Sequence, residues 1–561
     1  MTSLRLRFGS VNGGHDSFCY THSVRRIPVQ AWVLAVVSGV LQVLIFPAPS
    51  LSFLAWVALA PLLVAILRNS SVNGELLDES GKSLTAISSG QAFWLGYLCG
   101  VLWYLGNCYW IYNTMHAYGD LSAAVSAGIL ILFALYLGLY HGIFAALLAK
   151  VAQPRGEATD PRTRQKALRR ALYSIPFLWV ALELARTEIT GVPWDLLGTS
   201  QVGNIPLAFV SRWTGVYGVS FEIALVNTAF AAALLAHARR RQELLGIALV
   251  AAIIFQAGAF FHPRPSSWSH TAMLVQGNTP VLNDGWTEEY FDKTLKDLEA
   301  ASAFVGSGAH PSPRLIVWPE SPAPFYVPDP RFRQSLAELA TKQQAYVLAG
   351  SLGIDRPDGK ETAVLNSAVM VEPDGSMGLR YDKIHLVPFG EYVPFKRLFS
   401  FAGKLTKEVG DFSAGRERTV FDLDGHKVAV FICYEAVFPD EVRLFPKRGA
   451  EVLVNISNDG WVGESGAPGQ HLNMARMRAI ENNRWVLRAT NSGITAAIDP
   501  FGRLVDEAPR NVRRGMEAHY AFIHATTFYS RHGDIFAYLC AIISLLVLLL
   551  RFDLRVGRIG R

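Results

Sequence analysis

The sequence predicts an α-helical membrane bundle of about eight transmembrane helices that carries a separate α/β domain. Three observations lead to this fold class. Of the 561 residues, 51% are hydrophobic, which is high for a soluble domain. The apolar residues are concentrated outside residues 262–533, and that segment reads as an ordinary globular sequence. Within it, short β-branched runs alternate with amphipathic stretches, a pattern typical of an α/β layer protein.

The apolar segments set the number of helices, because about 17–25 apolar residues span a bilayer core of about 30 Å. Seven such segments precede the globular part and one follows it. They are predicted near residues 28–46, 50–68, 90–112, 122–149, 171–189, 214–236, 243–261 and 534–550. The resulting organisation is an N-terminal extension 1–27, a seven-helix domain 28–261, a globular domain 262–533, a C-terminal helix 534–551 and a tail 552–561.

Lys and Arg cluster in alternate loops, and such clusters mark the cytoplasmic side of a membrane protein. They occur in the N-terminal segment, after the fourth and the sixth predicted helices, and in the tail, whereas the first loop, the third loop and the stretch 191–211 of the fifth loop contain none. We therefore expect both termini in the cytoplasm and the globular domain on the far side, which in a bacterium is the periplasm. The balance of 52 Lys and Arg against 46 Asp and Glu thus reflects topology and not a nucleic-acid partner.

The cysteines predict neither a disulfide framework nor a metal site, because they are scattered without paired spacing. They are Cys19, Cys99, Cys108, Cys433 and Cys540. Cys433 ends the apolar run VAVFIC in the globular domain. We predict neither a bound metal nor a cofactor.

Polar residues follow several predicted strands, which is where α/β folds usually carry their site. RLIVW runs into Glu320, RYDKIHLVPF contains Lys383, and VAVFIC ends in Cys433. A nucleophilic thiol needs a base and an electropositive surrounding; Glu320 is a candidate base and Lys383 a candidate oxyanion stabiliser. Taken singly, each has an ordinary alternative: Glu320 fits a solvated carboxylate, Lys383 a surface lysine and Cys433 a small buried thiol. No protease-type signature surrounds Cys433, so we expect His385 to be structural.

Taken together, these motifs resemble the nitrilase, or carbon–nitrogen hydrolase, superfamily, whose catalytic set is Glu, Lys and Cys in that chain order. WPES supplies Glu320, YDKIHLVPFGEYVP supplies Lys383 and FICYE supplies Cys433. With the membrane helices included, residues 28–551 resemble the apolipoprotein N-acyltransferase family. Local matches are VQGN at 275–278, HLVPFGEYVP at 385–394, ICYE at 432–435, NISNDGWVG at 455–463 and the segment 470–495. The resemblance implies an αββα sandwich.

The resemblance also implies a function, that of a phospholipid-dependent N-acyltransferase of lipoprotein maturation in the bacterial inner membrane. Glu320 would deprotonate Cys433, the thiolate would take an acyl chain from a glycerophospholipid as a thioester, and Lys383 would hold the oxyanion. The acyl chain would then pass to the α-amine of the N-terminal S-diacylglyceryl cysteine of an apolipoprotein. The partners implied are these two substrates and membrane lipids. By resemblance, further residues assist the three or line the pocket: Glu391, Tyr434, Glu435, Trp461 and Trp286.

Residues 391–415 carry apolar side chains among basic ones, which fits an interfacial arm or, equally well, an ordinary surface loop. These side chains are Phe395, Leu398, Phe399, Phe401 and Leu405.

Two other functions stay open. A membrane-tethered amidase would use the same three residues with water as the acceptor. A transporter with a degenerate globular domain would need functional ionisable residues in its spans, for which Glu183, Arg186 and Glu222 are the few candidates.

Overall fold

The structure is a computed structural model. It describes residues 27–68, 87–154, 161–236, 238–261, 263–264, 266–281, 286–303, 314–355, 362–392 and 412–552. Most of the predicted arm at 391–415, including its apolar side chains, therefore lies outside the described residues. The same holds for the N-terminal extension and most of the second predicted loop.

The first part of the chain is helical. Its helices are α1 Val29–Leu44, α2 Ala60–Leu67, α3 Ser89–Asn107, α4 Trp110–Asn113, α5 Ala123–Ala152, α6 Pro161–Thr190, α7 Ile205–Ala208, α8 Ser211–Thr214, α9 Val216–Leu235 and α10 Ala238–Ala257. Single 3₁₀ turns lie at Ser52–Trp56, Leu197–Gln201 and Gly258–Phe260, and a π turn at Thr114–Tyr118. α3 begins at a capping box, in which Ser88 Oγ accepts from the Gln91 N–H at 3.2 Å; such a box satisfies backbone donors that the first turn leaves unpaired.

In the described part of the chain, three helices are long and apolar enough to cross a membrane: Ala123–Ala152, Val216–Leu235 and Arg240–Phe260. Val29–Leu44, Ser52–Leu67 and Ile535–Leu550 are shorter apolar helices. The segment predicted as one helix at 50–68 is divided into the turn Ser52–Trp56 and α2, which starts anew with Pro61 in its first turn. A proline there is preorganised for a helix start. The eight transmembrane passes stay a prediction.

The second part of the chain is an α/β domain. Its strands are β1 His270–Gln276, β2 Leu315–Val317, β3 Tyr346–Asp355, β4 Ala363–Val371, β5 Met377–Asp382, β6 Val420–Leu423, β7 His426–Ile432, β8 Val452–Ser457, β9 Val486–Thr490, β10 Thr495–Ile498, β11 Leu504–Ala508 and β12 Arg514–Tyr520. Its helices are α11 Glu288–Ala301, α12 Pro330–Gln343, α13 Pro439–Val442, α14 Leu444–Lys447, α15 Ala467–Asn482 and α16 Phe528–His532, and α17 Ile535–Phe552 follows it.

The strands form two six-stranded sheets, ordered β12-β1-β2-β3-β4-β5 and β11-β10-β9-β8-β7-β6. Alternate residues of β1 face opposite sides, as a strand requires. Ala272 and Leu274 lie in the core shared with the second sheet, whereas Met273 and Val275 pack with the residues of α11 and α12. Since α15 packs on the second sheet, the layers are helix, sheet, sheet, helix, in agreement with the predicted α/β sandwich.

The α/β domain is joined to the helical bundle through buried contacts. Val437, Phe438 and Met474 belong to the same apolar core as the bundle helices. Gln470 of α15 is fully buried. Its Nε2 donates to the Pro47 carbonyl at 2.8 Å and to the Asn107 carbonyl and Oδ1 at 3.0 Å each, and its Oε1 accepts from Trp194 Nε1 at 2.9 Å. One side chain thus bonds to three separate segments of the bundle.

Candidate active site

Glu320 lies three residues beyond β2, in a turn that packs closely on β3. A Cβ at Gly350 of β3 would meet the Pro319 carbonyl at 2.2 Å, so only glycine lets this turn approach. Glu320 is 8% exposed. Its Oε2 accepts from the Asn458 N–H at 2.8 Å and its Oε1 from Asn366 Nδ2 at 2.7 Å. The carboxylate is therefore fixed from both sheets.

Lys383 follows β5 and is 1% exposed. Its Nζ donates to Glu391 Oε1 at 2.9 Å and lies 3.4 Å from Glu320 Oε1. Burial alone lowers the pKa of this amine, but the two carboxylates outweigh burial and raise the pKa above its usual range. Asn366 Nδ2 also donates to Glu391 Oε1, at 2.7 Å. The site thus contains an ammonium group that stays charged and is held in one place.

Cys433 directly follows β7 and opens the 3₁₀ turn Cys433–Val437. Its φ is +49°, a left-handed conformation that costs a non-glycine residue about 1 kcal/mol and is typical of functional sites. Burial raises the pKa of the thiol well above its usual range; the charge of Glu320 adds to this effect, and the charge of Lys383 opposes it. Cys433 therefore rests as a neutral thiol beside a carboxylate and an ammonium group.

Glu435 connects the cysteine turn to the lysine segment. It is fully buried, and four donors reach its carboxylate: Tyr381 Oη at 2.8 Å, the Ile384 N–H at 2.7 Å, the His385 N–H at 3.2 Å and the Ile432 N–H at 2.6 Å. Burial raises the pKa of Glu435, against the effect of these hydrogen bonds. The carboxylate fixes the spacing between the segments that carry Cys433 and Lys383.

Tyr434 and Trp461 face the bundle. Tyr434 Oη donates to the Gly191 carbonyl, just after α6, at 3.1 Å. The Trp461 carbonyl accepts from Thr114 Oγ1 at 3.0 Å, and its ring lies 6.1 Å from that of Tyr118. Two of the predicted supporting residues thus place the cysteine next to the ends of bundle helices.

Two other residues named from the sequence lie in different surroundings. His385 Nε2 lies 3.2 Å from Glu441 Oε2, and its ring stacks on Phe438 with centroids 4.3 Å apart. These contacts fit the structural role expected of His385. Trp286 packs on Tyr290, with centroids 5.1 Å apart, and against the apolar layer of α11 and α12. A role for Trp286 in the site stays a prediction.

A second set of polar residues around the cysteine was not predicted from the sequence. His471 Nε2 lies 2.9 Å from the Cys433 carbonyl, and Asp459 Oδ1 lies 3.1 Å from His471 Nδ1. Arg488 is fully buried, donates to Asp459 Oδ2 at 2.8 Å and holds the pKa of Asp459 far below its usual range against the effect of burial. Within the described residues, no group of three or more His, Cys, Asp or Glu side chains could hold a metal ion.

Two family models match this chain. The model described as Apolipoprotein N-acyltransferase N-terminal domain matches residues 38–229. The model described as Carbon-nitrogen hydrolase matches residues 272–518, which contain Glu320, Lys383 and Cys433. The two matches cover the bundle and the α/β domain in turn, and the second identifies the α/β domain as nitrilase-like.

Two relatives agree with both models. An apolipoprotein N-acyltransferase of Geobacter metallireducens is 35% identical over 94% of this chain and 96% of its own length. One of Nitrosomonas europaea is 32% identical over 82% of this chain and 88% of its own length. A solved structure of a mutant amidase of the nitrilase superfamily from Nesterenkonia AN1 aligns with 49% of this chain and 97% of that chain at 18% identity, with a TM-score of 0.35. On the full-length matches, this chain belongs to the apolipoprotein N-acyltransferase family.

Proposed function

We propose that the protein N-acylates apolipoproteins through a thioester on Cys433, with a membrane glycerophospholipid as the acyl donor. The observation that carries this proposal is the group formed by Glu320, Lys383 and Glu391 beside the thiol. It supplies a base and a permanent positive charge, and all three of these side chains are buried. A base and a positive charge are the requirements for acyl transfer through a cysteine.

In the first half-reaction, Glu320 takes the proton of Cys433 and the thiolate attacks an ester carbonyl of the phospholipid. The Lys383 ammonium, together with the N–H of Tyr434, stabilises the oxyanion. The carbon–oxygen bond of the ester then breaks, and the leaving alkoxide takes the proton from Glu320. A lysophospholipid departs, and the acyl chain stays on sulfur.

In the second half-reaction, the α-amine of an S-diacylglyceryl cysteine attacks the thioester carbonyl, and Glu320 accepts a proton from the nitrogen. The carbon–sulfur bond breaks, the thiolate leaves and Glu320 returns a proton to it. The products are an N-acylated lipoprotein and the resting enzyme. The scheme predicts ping-pong kinetics.

Both proposed substrates are anchored in the membrane, and because the site adjoins the bundle, we propose that they approach it laterally. Tyr434 bonds to the segment that follows α6, and Val437 and Phe438 lie in the apolar core of the bundle. A lipid ester that enters between bundle and α/β domain meets Cys433 without crossing bulk water. Exclusion of water protects the thioester from hydrolysis.

For location, we propose a multi-pass protein of the bacterial inner membrane with eight passes, both termini in the cytoplasm and the α/β domain in the periplasm. The support is the alternation of basic and non-basic loops. The proposed division is 28–261 for the seven-helix domain, 262–533 for the catalytic domain and 534–551 for the last helix.

Labelling of engineered cysteines in intact cells with a membrane-impermeant maleimide tests this topology. Gly203→Cys, in open space, should react, whereas Arg240→Cys should not.

The function is tested with the purified full-length protein, phosphatidylethanolamine and a synthetic diacylated lipopeptide. Mass spectrometry should find a triacylated peptide and, without peptide, an acyl adduct on Cys433 that hydroxylamine removes. Cys433→Ala should abolish both, and Cys540→Ala in α17 is the matched control. Amide hydrolysis without peptide acylation, or acylation by Cys433→Ala, would overturn the proposal.

A further inference from the structure

The side chain of His471 lies between the nucleophile and the membrane bundle. It is 5% exposed, and its Nε2 lies 2.9 Å from the Cys433 carbonyl oxygen. A carbonyl oxygen only accepts hydrogen bonds, so Nε2 carries the proton and donates it. The sulfur of Cys433 is not involved, and the hydrogen bond acts on the backbone.

The opposite edge of the imidazole is held within the α/β domain. Nδ1 lies 3.1 Å from Asp459 Oδ1 and 3.2 Å from Arg488 Nη2. Asp459 is itself fixed, because Ser457 Oγ donates to Oδ1 at 2.7 Å and Arg488 donates to Oδ2 at 2.8 Å. The imidazole therefore cannot turn without breaking a buried charged network.

One face of the imidazole is covered by a residue of the helical bundle. The ring of Trp194, which follows α6, stacks on His471 with centroids 6.1 Å apart and an interplanar angle of 30°. Trp194 is held in turn by the hydrogen bond from its Nε1 to Gln470 Oε1 at 2.9 Å. Trp194 thus contacts two consecutive residues of α15.

We propose that His471 is a positioning residue, which orients the peptide unit between Cys433 and Tyr434 for oxyanion binding, and that Trp194 of the bundle holds His471 for this task. The carbonyl of Cys433 and the N–H of Tyr434 belong to one planar trans peptide and point in opposite directions. A donor that fixes the carbonyl therefore fixes the direction of the N–H. The inference rests on the proposed thioester route, in which this N–H assists Lys383.

The backbone conformation of Cys433 makes such a support necessary. With φ at +49°, the residue occupies a conformation that persists only where its surroundings hold it. Loss of the hydrogen bond from His471 should raise the energy of the transition state. The N–H of Tyr434 contacts the oxyanion that forms there and not the ground-state lipid. The rate of acyl loading should fall while the KM for phospholipid stays nearly constant.

The test compares His471→Phe, which keeps an aromatic ring and loses the donor, with His471→Gln, whose amide can still donate. Single-turnover loading of the full-length protein with phosphatidylethanolamine is followed by mass spectrometry. His471→Phe should load about 100-fold more slowly, the range for loss of one oxyanion donor, and His471→Gln should regain a large part of the rate. The matched control is His519→Phe, because His519 of β12 is likewise paired with an aspartate, Asp506 of β11. Trp194→Leu should slow loading in the same direction without changing the KM.

Two outcomes would overturn the inference: wild-type loading by His471→Phe, or a loss that follows the melting temperature and is not restored in His471→Gln. If His471→Phe fails to fold, the comparison of Trp194→Leu with wild type decides, and an unchanged loading rate there counts against the inference. Cys433→Ala separates this inference from the function itself. If Cys433→Ala still acylates the peptide, the proposed function is wrong; if it is inactive while His471→Phe is normal, only the positioning role is wrong.

Discussion

Lys383 Nζ lies 2.9 Å from Glu391 Oε1, in a position where the lysine is 1% exposed. This buried ion pair separates the tasks of two neighbouring carboxylates. Glu391 also accepts from the Val387 N–H at 2.8 Å, so it serves to hold the ammonium group. Glu320 lies farther from the same nitrogen, at 3.4 Å, which fits the proposal that it exchanges a proton with the thiol.

Glu391→Gln should slow acyl loading by about 100- to 1000-fold, because the ammonium group then pairs with Glu320 alone and moves away from the oxyanion. The measurement is the single-turnover rate with phosphatidylethanolamine. Glu338→Gln, on the exposed face of α12, is the control and should load as the wild type does. Normal loading by Glu391→Gln would show that the lysine needs no second carboxylate.

Glu320→Gln should have two opposite effects. The charge of Glu320 raises the pKa of Cys433, so its removal should lower the pH at which the thiol ionises, while acyl transfer is lost because the base is gone. The pH dependence of iodoacetamide labelling, with Cys433→Ala as the blank, measures the first effect, and peptide acylation measures the second. A labelling profile that moves to higher pH would contradict the assigned electrostatics.

Glu435→Gln should destabilise the protein by roughly 2 kcal/mol or more, the range for buried polar groups left without a partner. The amide keeps one acceptor oxygen and turns an NH₂ group toward N–H donors that now lack an acceptor. Thermal unfolding in detergent measures the change, and the exposed Glu372→Gln is the control. An unchanged Tm would mean that the carboxylate does not carry these four hydrogen bonds.

His385 should stabilise the protein in a pH-dependent way. Burial alone lowers its pKa, but the hydrogen bond and charge of Glu441 outweigh burial and raise it above the ordinary value of about 6.5. Because the pKa of His385 is higher in the folded than in the unfolded state, the protonated imidazole stabilises the folded protein fully below about pH 6.5. This stabilisation is lost as the pH rises through the folded-state pKa. His385→Gln should therefore lower Tm more at pH 6 than at pH 9. An equal loss at both pH values would contradict the assignment.

Much of the site was predictable from the sequence, because order and spacing of motifs carry the information. Glu320 and Cys433 follow strands that can be recognised as apolar runs, β2 and β7, whereas Lys383 was recognised from its motif. Since β2 and β7 lie in different sheets, the meeting of the three residues depends on how the two sheets face each other. Asn366 and His471 were not predictable in the same way. Which side chain of β4 reaches Glu320 and which side chain of α15 reaches the Cys433 carbonyl depends on strand pairing and helix packing, and both are long-range properties.

The helical part shows a similar limit. Apolar composition predicted the positions of α1, α5, α9 and α17 to within a few residues. It did not predict that the segment 50–68 is broken, because a 3₁₀ turn and a short helix have the same composition as one continuous helix. Nor did it predict the extent of α6, whose first residues are polar. Local backbone chemistry, such as Pro61 at a helix start, decides these boundaries.

The packing of α15 has a consequence for the synthesis of the protein. Met477 and Ile480 of α15 share a core with Val180 of α6 and with Ala537 and Cys540 of α17. Because α17 is synthesised after α15, the helix that carries His471 obtains its full packing only when α17 has been made and has docked. A nascent chain halted before Ile535 would leave that surface exposed. Acyltransferase activity should therefore appear only after α17 has docked on α15, so that the completed fold and the working site arise together.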